Sequence, residues 1–151
     1  MERGQPSPGP YGCGMRVEET IELPRGPQEV WDFVADPMND PQWCPKVRSV
    51  KPCGEKRWLV THKPVPLRPA MELLIEQIEL DAPRRLLIRE EDEASVFEVE
   101  YRLQPVGAAT RFTQVSEFTW KKLPRFLHKT FERGVRRDLR HQLRTLREVL
   151  A

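Results

Sequence analysis

The stretch PRFLHKTFERGVRRDLRHQLRTLREVL, residues 124–150, decides the architecture. Leu127, Phe131, Val135, Leu139, Leu143, Leu146 and Leu150 recur every three or four positions, and arginines fill the other sides. That period gives one broad apolar face and predicts a single long amphipathic helix. Such a helix buries its stripe only against another layer, so the residues before it must supply one.

They supply strands. After Pro45, apolar alternation marks Val47–Lys51, Arg57–His62, Met71–Leu80, Leu86–Glu90, Val96–Leu103 and Arg111–Trp120, with links rich in Pro, Gly or acid. Links this short join only antiparallel neighbours, because a parallel pair needs a crossover of about a dozen residues. Upstream, Val17, Ile21 and Leu23 share one face of a further strand that opens near Met15. Pro24-Arg25-Gly26-Pro27 then breaks the pattern, and Pro27 suits the first turn of a helix carrying Val30, Trp31, Phe33 and Val34. That helix must end near Asp36, since Pro37 disfavours helical geometry before it. A second short helical segment from Pro37 towards Trp43 follows, with Asp36 as its cap. The expectation is an α+β fold: a curved antiparallel sheet of about seven strands around a long C-terminal helix, with two short helices after strand one.

A chain of 151 residues fits one domain, expected over 15–151. Residues 1–14, with three prolines and four glycines, are expected to form a disordered tail, which makes Met15 a candidate alternative start. No apolar run approaches the ~20 residues of a membrane span or resembles a signal peptide, so a cytoplasmic location is expected. Cys13, Cys44 and Cys53 are odd in number and form no C-x-x-C pair, which reads as reduced thiols without a metal site. No dinucleotide fingerprint, Walker loop or nucleophile elbow is present, so no cofactor is expected. The net charge of +2 is unevenly placed: residues 121–151 hold ten lysines and arginines against Glu132, Asp138 and Glu148.

Several residues are candidates for chemistry. On the last strand Phe112, Gln114, Ser116 and Phe118 share the face expected to point inward, where an unsatisfied polar group costs ~1–3 kcal/mol. A buried water or a ligand oxygen would satisfy them. The preceding strand adds Phe97 and Tyr101 on one face, and Tyr101 offers a hydroxyl. His62 shares the face of Trp58 and Val60 and is the best single base. The strand 71–80 is ambiguous, with Met71, Leu73, Ile75 and Gln77 on one face and Glu72, Leu74, Glu76 and Ile78 on the other. Alternation favours the first set as inward. Trp43 sits in a proline-bounded loop suited to lining an entrance. Gly134 lies by the apolar stripe of the long helix at a cost of ~1 kcal/mol relative to alanine. The expected reason is a close approach, a bend or a widened pocket, with Thr130 and Asp138 on the same edge.

The order of several motifs carries a resemblance: Val30-Trp31-Asp32-Phe33-Val34-Ala35-Asp36-Pro37, then Trp43, Pro45 and Val47, Asp81-Ala82-Pro83-Arg84-Arg85-Leu86, Glu100-Tyr101-Arg102-Leu103, Thr110-Arg111-Phe112, Ser116-Glu117-Phe118 and the terminal helix. Together they resemble the START-related SRPBCC superfamily, and within it the polyketide cyclase/dehydratase-like group, from Met15 to the end. The resemblance implies a helix-grip fold with a deep pocket for a small hydrophobic, polyketide- or lipid-like molecule. It also places Trp43 where the cyclases keep a cavity tryptophan. In an ungapped alignment Glu76 and Ile78 stand where aromatase/cyclases have a Ser and an Arg, and Val50 where they have a Tyr, so the aromatase residues are absent. That alignment turns Glu76 inward, where its carboxyl would titrate high and could act as acid or base.

The catalytic candidates are therefore His62, Glu76 and Tyr101. The ligand-lining candidates are Trp43, Trp58, Phe97, Phe112, Gln114, Ser116, Phe118, Thr130 and Gly134. The expected function is a cyclase/dehydratase-like enzyme. A non-catalytic carrier of small molecules and a co-chaperone-like interaction module are the alternatives, the last expected to have a filled core. The basic helix face is solvated surface or a dock for an acidic acyl carrier protein or an anionic membrane. RNA ranks last, because no aromatic platform accompanies the arginines.

Overall fold

The computed structural model describes residues 14–64, 70–92, 95–120 and 124–151. Residues 1–13 of the expected tail, with Cys13, and most of the proline-rich stretch after Lys63 lie outside the described residues, while Gly14 belongs to the first strand. The strands are β1 (Gly14–Leu23), β2 (Val47–Gly54), β3 (Arg57–His62), β4 (Met71–Asp81), β5 (Arg85–Glu91), β6 (Ser95–Val106) and β7 (Ala109–Trp120). The helices are α1 (Pro27–Val34), α2 (Asp40–Trp43) and α3 (His128–Val149), with single 3-10 turns at Pro37–Asn39 and Arg125–Leu127. All seven strands form one antiparallel sheet in the order β1-β7-β6-β5-β4-β3-β2. The meander is the one expected, and β1 closes onto β7.

Local chemistry sets the breaks. Pro27 opens α1, which buries Val30, Trp31 and Val34 on one side. Asp36 caps the following turn by accepting a hydrogen bond from the Met38 amide at 3.0 Å. The tight β6–β7 link depends on Gly107, whose φ of 59° is the left-handed region that a side chain disfavours. Gln77 is buried on β4 and donates from Nε2 to the Ala35 carbonyl at 2.7 Å, which anchors the end of α1 over the sheet.

The helix stripe behaves as its period requires. Leu139, Leu143 and Leu146 are buried, each worth about 1.5–3 kcal/mol by removal from water. They join a core with Val17, Leu23, Trp43, Leu86, Val99 and Phe112. Glu19 shares the inner side of β1 with Val17 and Ile21, and it accepts hydrogen bonds from Arg136 at 3.1 Å and Arg140 at 3.0 Å. Part of the basic face of α3 is thereby used in docking the helix to the sheet edge.

The ambiguous strand is settled by burial. Leu73, Ile75 and Gln77 of β4 face inward, whereas Leu74 and Ile78 are exposed. Glu76 is corrected to the outer face, where its carboxylate lies 3.6 Å from Arg57 with both side chains largely in solvent. The ungapped alignment fails here because alternation fixes the face at Leu73 and Ile75, and the register slips only later, between Gln77 and Glu79.

Candidate functional site at the open end of the grip

The inner face of the sheet divides into levels that differ in cover. At one level Gln77, Ile88, Val99, Ser116 and Val17 stand side by side across β4, β5, β6, β7 and β1, and all are buried. The next level runs Trp58, Ile75, Glu90, Phe97, Phe118 and Met15. There only Ile75 is fully buried and the others are partly exposed. The grip is closed at its centre and open at the end where α3 begins.

The closed centre corrects several expectations. Trp43 is fully buried, its ring 5.8 Å from Tyr101 and 6.3 Å edge-on from Phe112, so the three aromatics fill the middle. Trp43, Phe112 and Tyr101 belong to the buried core cluster rather than to the partly open end, where an apolar molecule could reach them. Gln114 is buried as well, and its Oε1 accepts a hydrogen bond from Gln142 of α3 at 3.1 Å. Its polar cost is met by the helix rather than by a ligand. Ser116 lies beside it in the buried level.

The open end keeps other candidates. Phe97 and Phe118 meet edge to face at 4.7 Å, and Phe131 of α3 stands 6.1 Å from Phe118. Trp58 adds apolar surface from β3, and His62 is partly buried at the end of the same strand. Thr130 is exposed and does not line the mouth. No close approach explains Gly134: a Cβ there would meet no atom within 4 Å. Gly134 falls on α3 between Phe131, which touches Phe118, and Asp138, which pairs with Lys46 at 2.8 Å.

A polar cluster that the sequence reading passed over sits beside these rings. Glu90 extends the inward alternation of Leu86 and Ile88, and that parity was the available signal. Burial pushes its carboxyl up to about 7, with Lys46 pulling the other way. Asp40, at the start of α2, is also raised, first by burial and then by Glu90 and Asp36. Cys44 and Tyr101 are raised by burial and by the same acids. The Trp43 Nε1 is buried without a hydrogen-bond partner among the described residues. Its N–H nevertheless lies near enough to Asp40 to offset part of that carboxyl's rise, short of hydrogen-bond geometry. The arrangement can hold an apolar body against the rings and exchange protons at its edge.

Among the described residues there is no group of metal-ligating side chains and no helix long and apolar enough to cross a membrane. Two surface grooves lie elsewhere. One of about 380 Å³ is lined by Arg133, Arg136, Arg137, Arg140 and Arg144 of α3. The other, of about 580 Å³, lies by the β4–β5 turn with Arg84, Arg85 and Arg102.

The sequence from 15 to 151 matches the family described as polyketide cyclase / dehydrase and lipid transport. No curated protein matches. Among solved structures, a START superfamily protein from Mycobacterium smegmatis is similar, with a TM-score of 0.77, 12% identity, and coverage of 89% of this chain and 96% of that one. A protein of Thermus thermophilus superposes with a TM-score of 0.73 at 18% identity over 89% of this chain and 95% of its own. The Zhui aromatase/cyclase from Streptomyces sp. R1128 gives a TM-score of 0.73 at 15% identity, covering 91% of this chain and 94% of that one. These likenesses establish the helix-grip, START-like fold.

Proposed function

The chain belongs to the polyketide cyclase/dehydrase and lipid transport family, and from that premise we propose that it binds a small hydrophobic, polyketide- or lipid-like molecule at the open end of the grip and acts on it as a cyclase/dehydratase-like enzyme. The observation that carries the reading is the contrast between neighbouring levels of one sheet face. Val17, Ile88 and Val99 are covered, while Trp58, Phe97, Phe118 and Met15 remain partly open beside a titrating carboxyl. Apolar side chains left uncovered on an inner face favour an apolar occupant by about 25 cal/mol per Å² removed from water.

Nile red, a neutral dye that brightens in apolar surroundings, tests the site. Phe97→Arg places a charge at the mouth and is expected to weaken binding at least tenfold, whereas Leu80→Arg, on exposed surface, leaves it unchanged. Equal binding by both variants would remove the mouth as the site. A carrier of the same molecules is the second reading, favoured by the outward position of Glu76. Native mass spectrometry of freshly purified protein separates the two, since a carrier retains its ligand unconverted.

A further inference from the structure

Lys129, Arg133, Arg137, Arg140, Arg144 and Arg147 recur every three or four residues along α3, and all are exposed. That period sets them on one face as a line of cations about 27 Å long. The arginine-lined groove of about 380 Å³ runs along it. Docking of the helix accounts for part of the charge, since Arg136 and Arg140 bind Glu19 and Arg136 also meets Glu132. Arg137 lies 3.9 Å from Asp138, whose other oxygen holds Lys46. Arg133 and Arg144 enter no ion pair among the described residues.

Helix stability does not explain the stripe. Like charges four residues apart oppose helix formation, as at Arg133 and Arg137 or at Arg140 and Arg144. The first turn of α3 holds Lys129 and no acid, so it sets a cation at the positive end of the helix dipole. An anionic surface laid along this face would relieve both costs, and a line of about 27 Å fits an extended surface better than one small anion.

The start of the stripe indicates which surface. Phe126, in the turn Arg125–Leu127 that leads into α3, is 81% exposed, and Leu127 and Phe131 keep 39% and 37% of their surface in solvent. Beside them Arg125, Lys129 and Arg133 are exposed as well. Apolar side chains that can enter an interface, next to cations that attract its phosphates, are the combination that holds a helix on an anionic bilayer. An acidic protein or a nucleic acid backbone would engage the arginines and leave Phe126 in water. Phe131 also touches Phe118, so this end of α3 adjoins the mouth of the grip.

We propose that the arginine stripe of α3, with Phe126 and Leu127 at its start, docks the protein on an anionic phospholipid surface and sets the mouth beside the bilayer. The docking goes beyond the proposed function; only the passage of an apolar ligand from bilayer to mouth rests on it.

The probe is vesicles of phosphatidylcholine and phosphatidylglycerol in equal parts, sedimented with the full chain and compared with vesicles of phosphatidylcholine alone. The anionic vesicles are expected to bind at least tenfold more tightly at about 0.1 M salt. That preference should largely vanish at about 1 M, where the screening length falls from ~10 Å to ~3 Å. Arg133→Gln combined with Arg144→Gln should weaken binding at least tenfold, each cation near the surface being worth about a fivefold change, while Nile red binding stays at the wild-type level. Phe126→Ser, which keeps every charge, should weaken vesicle binding about fivefold. Failure of the wild type to sediment with the anionic vesicles overturns the proposal, as does undiminished binding by the arginine variant. Undiminished binding by Phe126→Ser overturns the bilayer as the partner. So does binding of poly-glutamate as tightly as the vesicles, since the stripe would then fit an acidic protein. The two readings fail separately, because Phe97→Arg with Nile red tests the mouth and the arginine variant with vesicles tests the stripe.

Discussion

Lys46 Nζ lies 2.8 Å from Asp138 Oδ2, so the turn after α2 is tied to the middle of α3 beside the open end. The pair is half exposed, and as a structural tie it is worth no more than about 1 kcal/mol. Its larger effect is on Glu90, because Lys46 is the cation that holds that carboxyl down. Lys46→Met should therefore raise the Glu90 midpoint above about 7. Asp138→Asn, which leaves the ammonium without its own counter-charge, should lower it. Carbon-detected NMR titration of the Glu90 carboxyl reads both shifts, and midpoints unchanged in the two variants would separate Lys46 from Glu90.

The same carboxyl sets a pH dependence of stability. Its midpoint rises from an ordinary 4.5 to about 7 on folding, so between those values the native state holds a proton that the unfolded chain has released. Stability contributed by the neutral acid is thus complete below about 4.5, falls as pH rises, and is lost above about 7. Allowing for its partial exposure, the loss is roughly 2 kcal/mol. Glu90→Gln removes that loss. Thermal melts should give nearly equal midpoints for wild type and variant at acid pH near 5, and a variant higher by roughly 5 °C at pH 8. A pH-independent difference would contradict the burial of the charged form.

How much of this was legible in the sequence follows from what each signal depends on. The period of Leu139, Leu143 and Leu146 and the short links between strands are local, and they yielded the helix and the antiparallel sheet. Parity along Phe97–Leu103 and Phe112–Phe118 placed the inner faces correctly. Depth along a strand carries no such signal: Tyr101, Phe112 and Gln114 share the inner side with Phe97 and Phe118, yet the first three are covered and the last two are not. Cover is set by where α2 and α3 lie, which depends on contacts distant in sequence. Glu90 was legible by parity with Leu86 and Ile88, but it is the last residue of the expected strand and the first of four consecutive acids. Asp40 was hidden because its neighbours in space come from β5 and β6.

Glu76 gives a direct check on the choice between parity and alignment. It faces outward opposite Arg57 and Arg89, and its ion pair with Arg57 is exposed. Glu76→Gln should alter stability by less than about 0.5 kcal/mol and leave Nile red binding unchanged. A tenfold loss of binding in that variant would mean that β4 turns its other side to the ligand.

Gly134 offers a test of the space itself, because two substitutions at one position should act in opposite directions. It lies within α3, and an added Cβ meets nothing within 4 Å. Gly134→Ala should then stabilise the protein by about 0.5–1 kcal/mol, since alanine spends less backbone entropy on becoming helical and nothing obstructs its methyl. Thermal melting would report a rise of a few degrees with Nile red binding retained. Gly134→Leu keeps the helix propensity but extends a branched side chain between Phe131, which packs on Phe118, and Asp138. That variant should fold with at least wild-type stability and bind Nile red at least tenfold more weakly. If leucine left binding intact, the unfilled space beside Gly134 would be open solvent outside the mouth, and the ligand would have to lie wholly against Trp58 and Phe97.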